Sequence, residues 1–115
     1  MTIEGTNGDD SIGVAGSNGS AQVLGLHAVV RVTGSEPAHD ALEVKTLAGD
    51  DIVEASGLSA DVLRLTADGG NGDDVLIGSA GPDTLLGAAG DDVLLSGPGQ
   101  DTLDGGPGSN AVIQG

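Results

Sequence analysis

From Gly69 onward, short aliphatic runs alternate with six-residue stretches rich in glycine and aspartate. Cut every nine residues, the stretch 69–113 reads GGNGDDVLI, GSAGPDTLL, GAAGDDVLL, SGPGQDTLD, GGPGSNAVI. The last three places of each unit, such as Val75-Leu76-Ile77, are β-branched or aliphatic and suit a short strand. The six places before them hold two or three glycines in every unit, which is poor helix and good tight turn with positive φ. Glycine keeps the fourth place (Gly72, Gly81, Gly90, Gly99, Gly108), and aspartate keeps the sixth (Asp74, Asp83, Asp92, Asp101) until Asn110. The eighth place is Leu76, Leu85, Leu94, Leu103 and Val112. A turn and a three-residue strand cannot bury their own apolar side chain. Stacked copies can, with the eighth-place residues forming a continuous inner row.

Upstream the pattern loosens. In 5–13, GTNGDDSIG, residues Gly8, Asp10 and Ile12 fall at the fourth, sixth and eighth places. Residues 14–20, VAGSNGS, predict a turn-rich break. Residues 21–33, AQVLGLHAVVRVT, predict one or two strands or an N-terminal cap, with Leu26, Ala28 and Val30 inward and His27 and Arg31 outward. His27 reads as a surface residue. Residues 34–39, GSEPAH, predict a loop, since Pro37 bars a central strand. Gly49, Asp51 and Val53 again match the three places. Asp61 and Leu63 match two, with Ser59 in place of the glycine, and Asp40 and Leu42 match two. Leu42, Val44, Val53, Leu63 and Leu65 are the expected apolar packing of this half. The expected organisation is one domain over 1–115, irregular over 1–68 and regular over 69–113.

The nonapeptide resembles the hemolysin-type calcium-binding (RTX) repeat, GGxGxDxUx with U a large apolar residue. The resemblance implies an all-β, right-handed parallel β-roll or β-solenoid in which two units make one turn and unit n stacks on unit n+2. Asp74 would then lie beside Asp92, Asp83 beside Asp101, and Asp92 beside Asn110. Two columns follow: Asp10, Asp51, Asp74, Asp92, Asn110, and Asp40, Asp61, Asp83, Asp101. Ladders of like charge at strand spacing repel unless a cation sits between the rungs. Carboxylates and glycine-loop carbonyls form an adjustable all-oxygen cage that suits Ca²⁺ better than Mg²⁺, which demands stricter octahedral geometry. With no cysteine and two histidines, zinc is a poor fit.

Carried over from the family, the ligands are the sixth-place side chains of two loops with carbonyls from the second and fourth places of one and the first and third of the other. That implies Gly70, Gly72, Asp74 with Gly87, Ala89, Asp92. A second set is Ser79, Gly81, Asp83 with Ser96, Pro98, Asp101. A third is Ala88, Gly90, Asp92 with Gly105, Pro107, Asn110. An upstream set would be Leu47, Gly49, Asp51 with Gly69, Asn71, Asp74. Asn110 keeps an oxygen without the charge, which weakens its site. Pro98 and Pro107 stand at third places, where the loop supplies a carbonyl and needs no N–H. The fifth-place acids Asp73 and Asp91 are expected to face solvent.

Composition narrows the function. The 115-residue chain has no Phe, Tyr or Trp, a net charge of −15 and three basic residues. Fourteen of the 18 acids are aspartate, the turn and ligand acid. Three basic residues cannot neutralise a phosphate backbone, so nucleic acid is excluded as a partner. No apolar run is long enough to span a bilayer as a helix, and Met1-Thr2-Ile3-Glu4 is no signal peptide. One buried leucine per nine residues is too little to offset the entropy of ordering them, so the metal-free chain is expected to be largely disordered and binding to be folding. Together with the resemblance, this points to a secreted calcium-binding module of a larger exported bacterial protein, binding several ions. The alternative is a polysaccharide- or cell-surface-binding module, against which stands the lack of an aromatic platform or basic stripe. Catalysis is not expected, because the acids sit at ligand spacing and no serine or histidine has a triad-like context.

Overall fold

The computed structural model describes residues 2–4, 8, 11–17, 20–24, 30–32, 41–58 and 64–114. Among them there are twelve strands and no helix. The strands are β1 (Thr2–Glu4), β2 (Ser11–Ser17), β3 (Ser20–Leu24), β4 (Val30–Val32), β5 (Ala41–Lys45), β6 (Ile52–Leu58), β7 (Arg64–Asp68), β8 (Val75–Ile77), β9 (Asp83–Leu86), β10 (Val93–Leu95), β11 (Thr102–Asp104) and β12 (Ala111–Ile113). They form a five-stranded sheet, β1-β5-β7-β9-β11, and a seven-stranded sheet, β12-β10-β8-β6-β2-β3-β4. From β5 on, successive strands alternate between the sheets and pair in parallel. This is a parallel β-roll.

The repeat sets the register. Leu94 pairs with Leu76 and Val112, and Leu103 with Leu85, each eighteen residues apart. Unit n therefore lies on unit n+2. The eighth-place row is the core: Leu76, Leu85 and Leu94 are fully buried with Ile12, Val14, Leu42, Val44, Val53, Ala55, Leu58, Leu65 and Ala67. The row opens at its C-terminal end, where Leu103 is partly buried and Val112 is 48% exposed. Glycine, not bulk, sets the loop spacing. A Cβ on Gly72 would lie 2.0 Å from Gly49 O, and one on Gly90 2.1 Å from Gly72 O.

The irregular half differs from expectation in two places. The predicted break at 14–20 is instead strand over Val14–Ser17, followed by β3 from Ser20. Here β2 pairs with β3 antiparallel, Ser17 opposite Ser20, and β4 continues the sheet in the same meander. The predicted one or two strands of 21–33 are thus β3 and β4. The second column is also corrected: Leu65 pairs with Asp83 and Ala67 with Leu85, so the place expected for Leu63 is taken by Ala67. The reason is length. The turn from Val53 to Leu76 spans 23 residues, five more than a repeat turn, and β5 and β7 are five-residue strands that bury Leu42, Val44, Leu65 and Ala67 on one face. Shifting them would expose that face. Asp10, His27, Pro37, His39, Asp40, Ser59, Asp61 and Leu63 lie outside the described residues.

Candidate metal centre

Loops of the repeat kind lie along two edges of the roll. One edge, leading into β6, β8, β10 and β12, carries loops 46–51, 69–74, 87–92 and 105–110. The other, leading into β9 and β11, carries loops 78–83 and 96–101. On the first edge the second and fourth places take left-handed φ: Leu47 (71°), Gly49 (107°), Gly70 (74°), Gly72 (121°), Ala88 (62°), Gly90 (127°), Gly106 (71°) and Gly108 (115°). This turn tips the peptide planes so that loops bond to one another. Asn71 N–H donates to Leu47 O at 2.9 Å, Gly49 N–H to Asn71 O at 3.0 Å, and Gly72 N–H to Ala89 O at 3.0 Å.

The sixth-place side chains stack as the repeat requires. Asp51 N–H donates to Asp74 Oδ1 at 2.9 Å, Asp74 N–H to Asp92 Oδ1 at 2.8 Å, and Asp92 N–H to Asn110 Oδ1 at 2.7 Å. On the other edge, Asp83 N–H donates to Asp101 Oδ1 at 2.9 Å. Each carboxylate reaches back to the preceding rung. First-place glycines make room for it: a Cβ on Gly69 would lie 2.3 Å from Asp74 Oδ2, and one on Gly87 2.5 Å from Asp92 Oδ2.

These bonds use one oxygen of each carboxylate. The second, Oδ2 of Asp74, Asp92 and Asp101, is buried and has no hydrogen-bond partner. Asp74 and Asp92 are each 1% exposed. A buried carboxylate oxygen with no donor is costly unless a cation meets it. Desolvation, with repulsion from Asp51, Asp92 and Asp50, raises the Asp74 pKa to about 7. Burial also raises Asp92, with Asp73 and Asp91 adding repulsion. Among the described residues no three carboxylate or imidazole side chains converge on one point. A cation held here would therefore draw on loop carbonyls as well as on the aspartates. Such a donor set is oxygen-only, anionic and flexible, and fits Ca²⁺.

The fifth-place acids are exposed as expected, yet they form a ladder that the repeat pattern did not announce. Asp73 N–H donates to Asp50 Oδ1 at 2.9 Å, Asp91 N–H to Asp73 Oδ1 at 2.8 Å, and Ser109 N–H to Asp91 Oδ1 at 2.8 Å. These side chains reach forward to the next rung while the sixth-place ones reach back. Thr46, at a first place, was also not foreseen. It is buried and donates its hydroxyl to Gly69 O at 2.9 Å.

Residues 68–112 match the family model of the RTX calcium-binding nonapeptide repeat, in four copies. Comparison with curated proteins and with solved structures returned no match. The parallel two-unit turns, the aspartate ladders and the family match agree: residues 68–112 match the RTX calcium-binding nonapeptide repeat in sequence and in stacking.

Proposed function

We propose that this chain is a calcium-folded module of a larger exported protein, one domain over 1–115, ordered outside the cell where calcium is plentiful. The observation that carries this is the pair of buried, partnerless Oδ2 atoms of Asp74 and Asp92 on successive rungs of one edge. Gly70, Gly72 and Asp74 with Gly87, Ala89 and Asp92 would hold one ion. Ala88, Gly90 and Asp92 with Gly105, Pro107 and Asn110 would hold a weaker one, because Asn110 lacks the charge. Leu47, Gly49 and Asp51 with Gly69 and Asn71 extend the same edge upstream. On the opposite edge Asp101, with carbonyls of Gly81, Ser96 and Pro98, would hold another. A bound cation neutralises the like-charged rungs and meets the orphaned oxygens, which supplies what the thin leucine row lacks. The antiparallel β3 and β4 fit the role of an N-terminal cap that shields the open sheet.

Calorimetric titration of calcium into the chelator-stripped chain tests this, with magnesium as control. Uptake of more than one calcium per chain, with at least one ion lost in Asp92→Asn, supports the reading. No calcium uptake, or equal affinity for magnesium, contradicts it.

A further inference from the structure

One repeat loop departs from its neighbours. In the unit 78–86 neither the second place, Ser79, nor the fourth, Gly81, has positive φ, whereas both places do in the units beginning at Gly69, Gly87, Ser96 and Gly105. Ser79 is the only hydroxyl residue at a second place in the five units. It is buried, 2% exposed, and its hydroxyl donates to Asp83 Oδ1 at 2.6 Å. The Ser79 N–H donates to Asp83 Oδ2 at 2.7 Å, and the Gly81 N–H donates to the Ser79 hydroxyl oxygen at 3.1 Å. Loop 78–83 is closed on itself by these three bonds.

The closure answers a gap in the ladder. Asp74, Asp92, Asp101 and Asn110 each accept an N–H from the sixth-place residue of the preceding rung. Asp83 has no such partner: the register sets Leu65, not an aspartate, opposite it, on the five-residue strand β7. Asp83 is 3% exposed, and left without donors its carboxylate would be a buried charge at the point where the repeat array begins on this edge. Ser79 supplies both donors. The result separates Asp83 from its relatives: the Oδ2 atoms of Asp74, Asp92 and Asp101 have no hydrogen-bond partner, while both oxygens of Asp83 do.

We infer that Ser79 is a built-in cap that substitutes for the missing rung, holding Asp83 in hydrogen bonds rather than in a metal shell. The inference rests on the calcium reading and adds that the two edges use calcium unequally. On the edge of Asp74 and Asp92, every sixth-place carboxylate from Asp74 to Asp92 serves a cation. On the opposite edge, the first carboxylate is spent on Ser79 and the metal work begins at Asp101.

The test compares calcium bound per chain, by equilibrium dialysis at saturation, for the full chain and for Asp83→Asn and Asp92→Asn. Asp92→Asn should lose at least one ion, whereas Asp83→Asn should keep the full number. Amide hydrogen exchange of the calcium-saturated chain provides a second readout. Ser79→Ala should speed exchange at the Gly81 amide by about tenfold, the loss expected from one buried hydrogen bond, and Ser79→Thr should restore protection. Loss of an ion in Asp83→Asn overturns the inference, as does unchanged Gly81 exchange in Ser79→Ala. A full chain that takes up no calcium overturns the calcium reading itself, and the cap with it.

Discussion

The two loop edges of this roll are cut from the same nonapeptide yet reach different states. On the edge leading into the seven-stranded sheet, loops stack at close range. A Cβ on Gly70, Gly72, Gly90, Gly106 or Gly108 would lie 1.8–2.4 Å from a backbone oxygen of the rung before. On the edge leading into the five-stranded sheet the approach is looser: Gly97 and Gly99 would meet such an oxygen at 3.1 and 2.8 Å. The first edge has a repeat-like predecessor in loop 46–51, so its ladder runs on past the regular units. The second meets Leu65 and stops at Ser79. The repeat pattern specifies a loop only together with the rung beneath it. Where that rung fails, a single side chain decides the local structure.

The largest effect that would break this comparison is Gly90→Ala. At φ 127° and 2.1 Å from Gly72 O, the methyl group has no strain-free conformation and strikes backbone. We expect a loss of about 3 kcal/mol or more, seen as the absence of a calcium-dependent β signal. Gly97→Ala, at φ 78° with its nearest atom at 3.1 Å, should cost about 1–2 kcal/mol, the ordinary penalty for a left-handed alanine. Thermal melts of the two variants in calcium test the ranking, and equal losses would show that the edges are packed alike.

A comparable loss is expected in the core they share. Leu94→Ala should destabilise by about 2–5 kcal/mol, because Leu94 is fully buried. Val112→Ala, with its side chain half exposed at the open end, should stay within about 0.5 kcal/mol. Calcium-saturated thermal melts measure both.

Acid should act on both edges without calcium. The Asp74 pKa is raised to about 7 and that of Asp83 to about 6, chiefly by burial. The folded chain therefore binds more protons than the unfolded one at intermediate pH, and stability rises as pH falls through these values toward the ordinary carboxylate range. In chelator, β content should increase from pH 8 to pH 5, while calcium affinity falls over the same interval because protons compete for the Asp74 oxygens. Circular dichroism and calcium titration at several pH values test the two trends, and β content falling on acidification contradicts them.

A similarly small effect is expected of Ala88→Gly. Ala88 has φ 62°, and the relief of left-handed strain outweighs the added entropy of glycine by only about 0.5 kcal/mol. A slightly higher melting temperature is the predicted sign.

Much of the regular half was legible in sequence because glycine, aspartate and leucine each do one job per unit. Strands β8, β10, β11 and β12 fall where the eighth-place leucines and valine predict, and the eighteen-residue register follows from the nonapeptide. Ser79 fits the repeat register, yet a hydroxyl four residues before Asp83 is itself a signal of side-chain capping. The fifth-place ladder through Asp50, Asp73 and Asp91 was missed because a repeating acid at an exposed place looks the same whether or not it bonds to the next rung. In the irregular half, the Asn18-Gly19 dipeptide between Ser17 and Ser20 is a hairpin signal in the sequence. The β7 register was not readable from aspartate spacing. It is set by the alternation of Leu65 and Ala67 facing the core, and the aspartate of the repeat has no counterpart there.

Calcium between the aspartate ladders is proposed to fold this chain. The most direct measurement is far-UV circular dichroism of the chelator-stripped chain during calcium titration, with magnesium in parallel. A chain folded by calcium gives a coil spectrum in chelator and a steep, calcium-selective rise to a β spectrum. A full β spectrum in chelator, unchanged by calcium, would mean that the apolar rows hold the roll by themselves and would contradict that proposal.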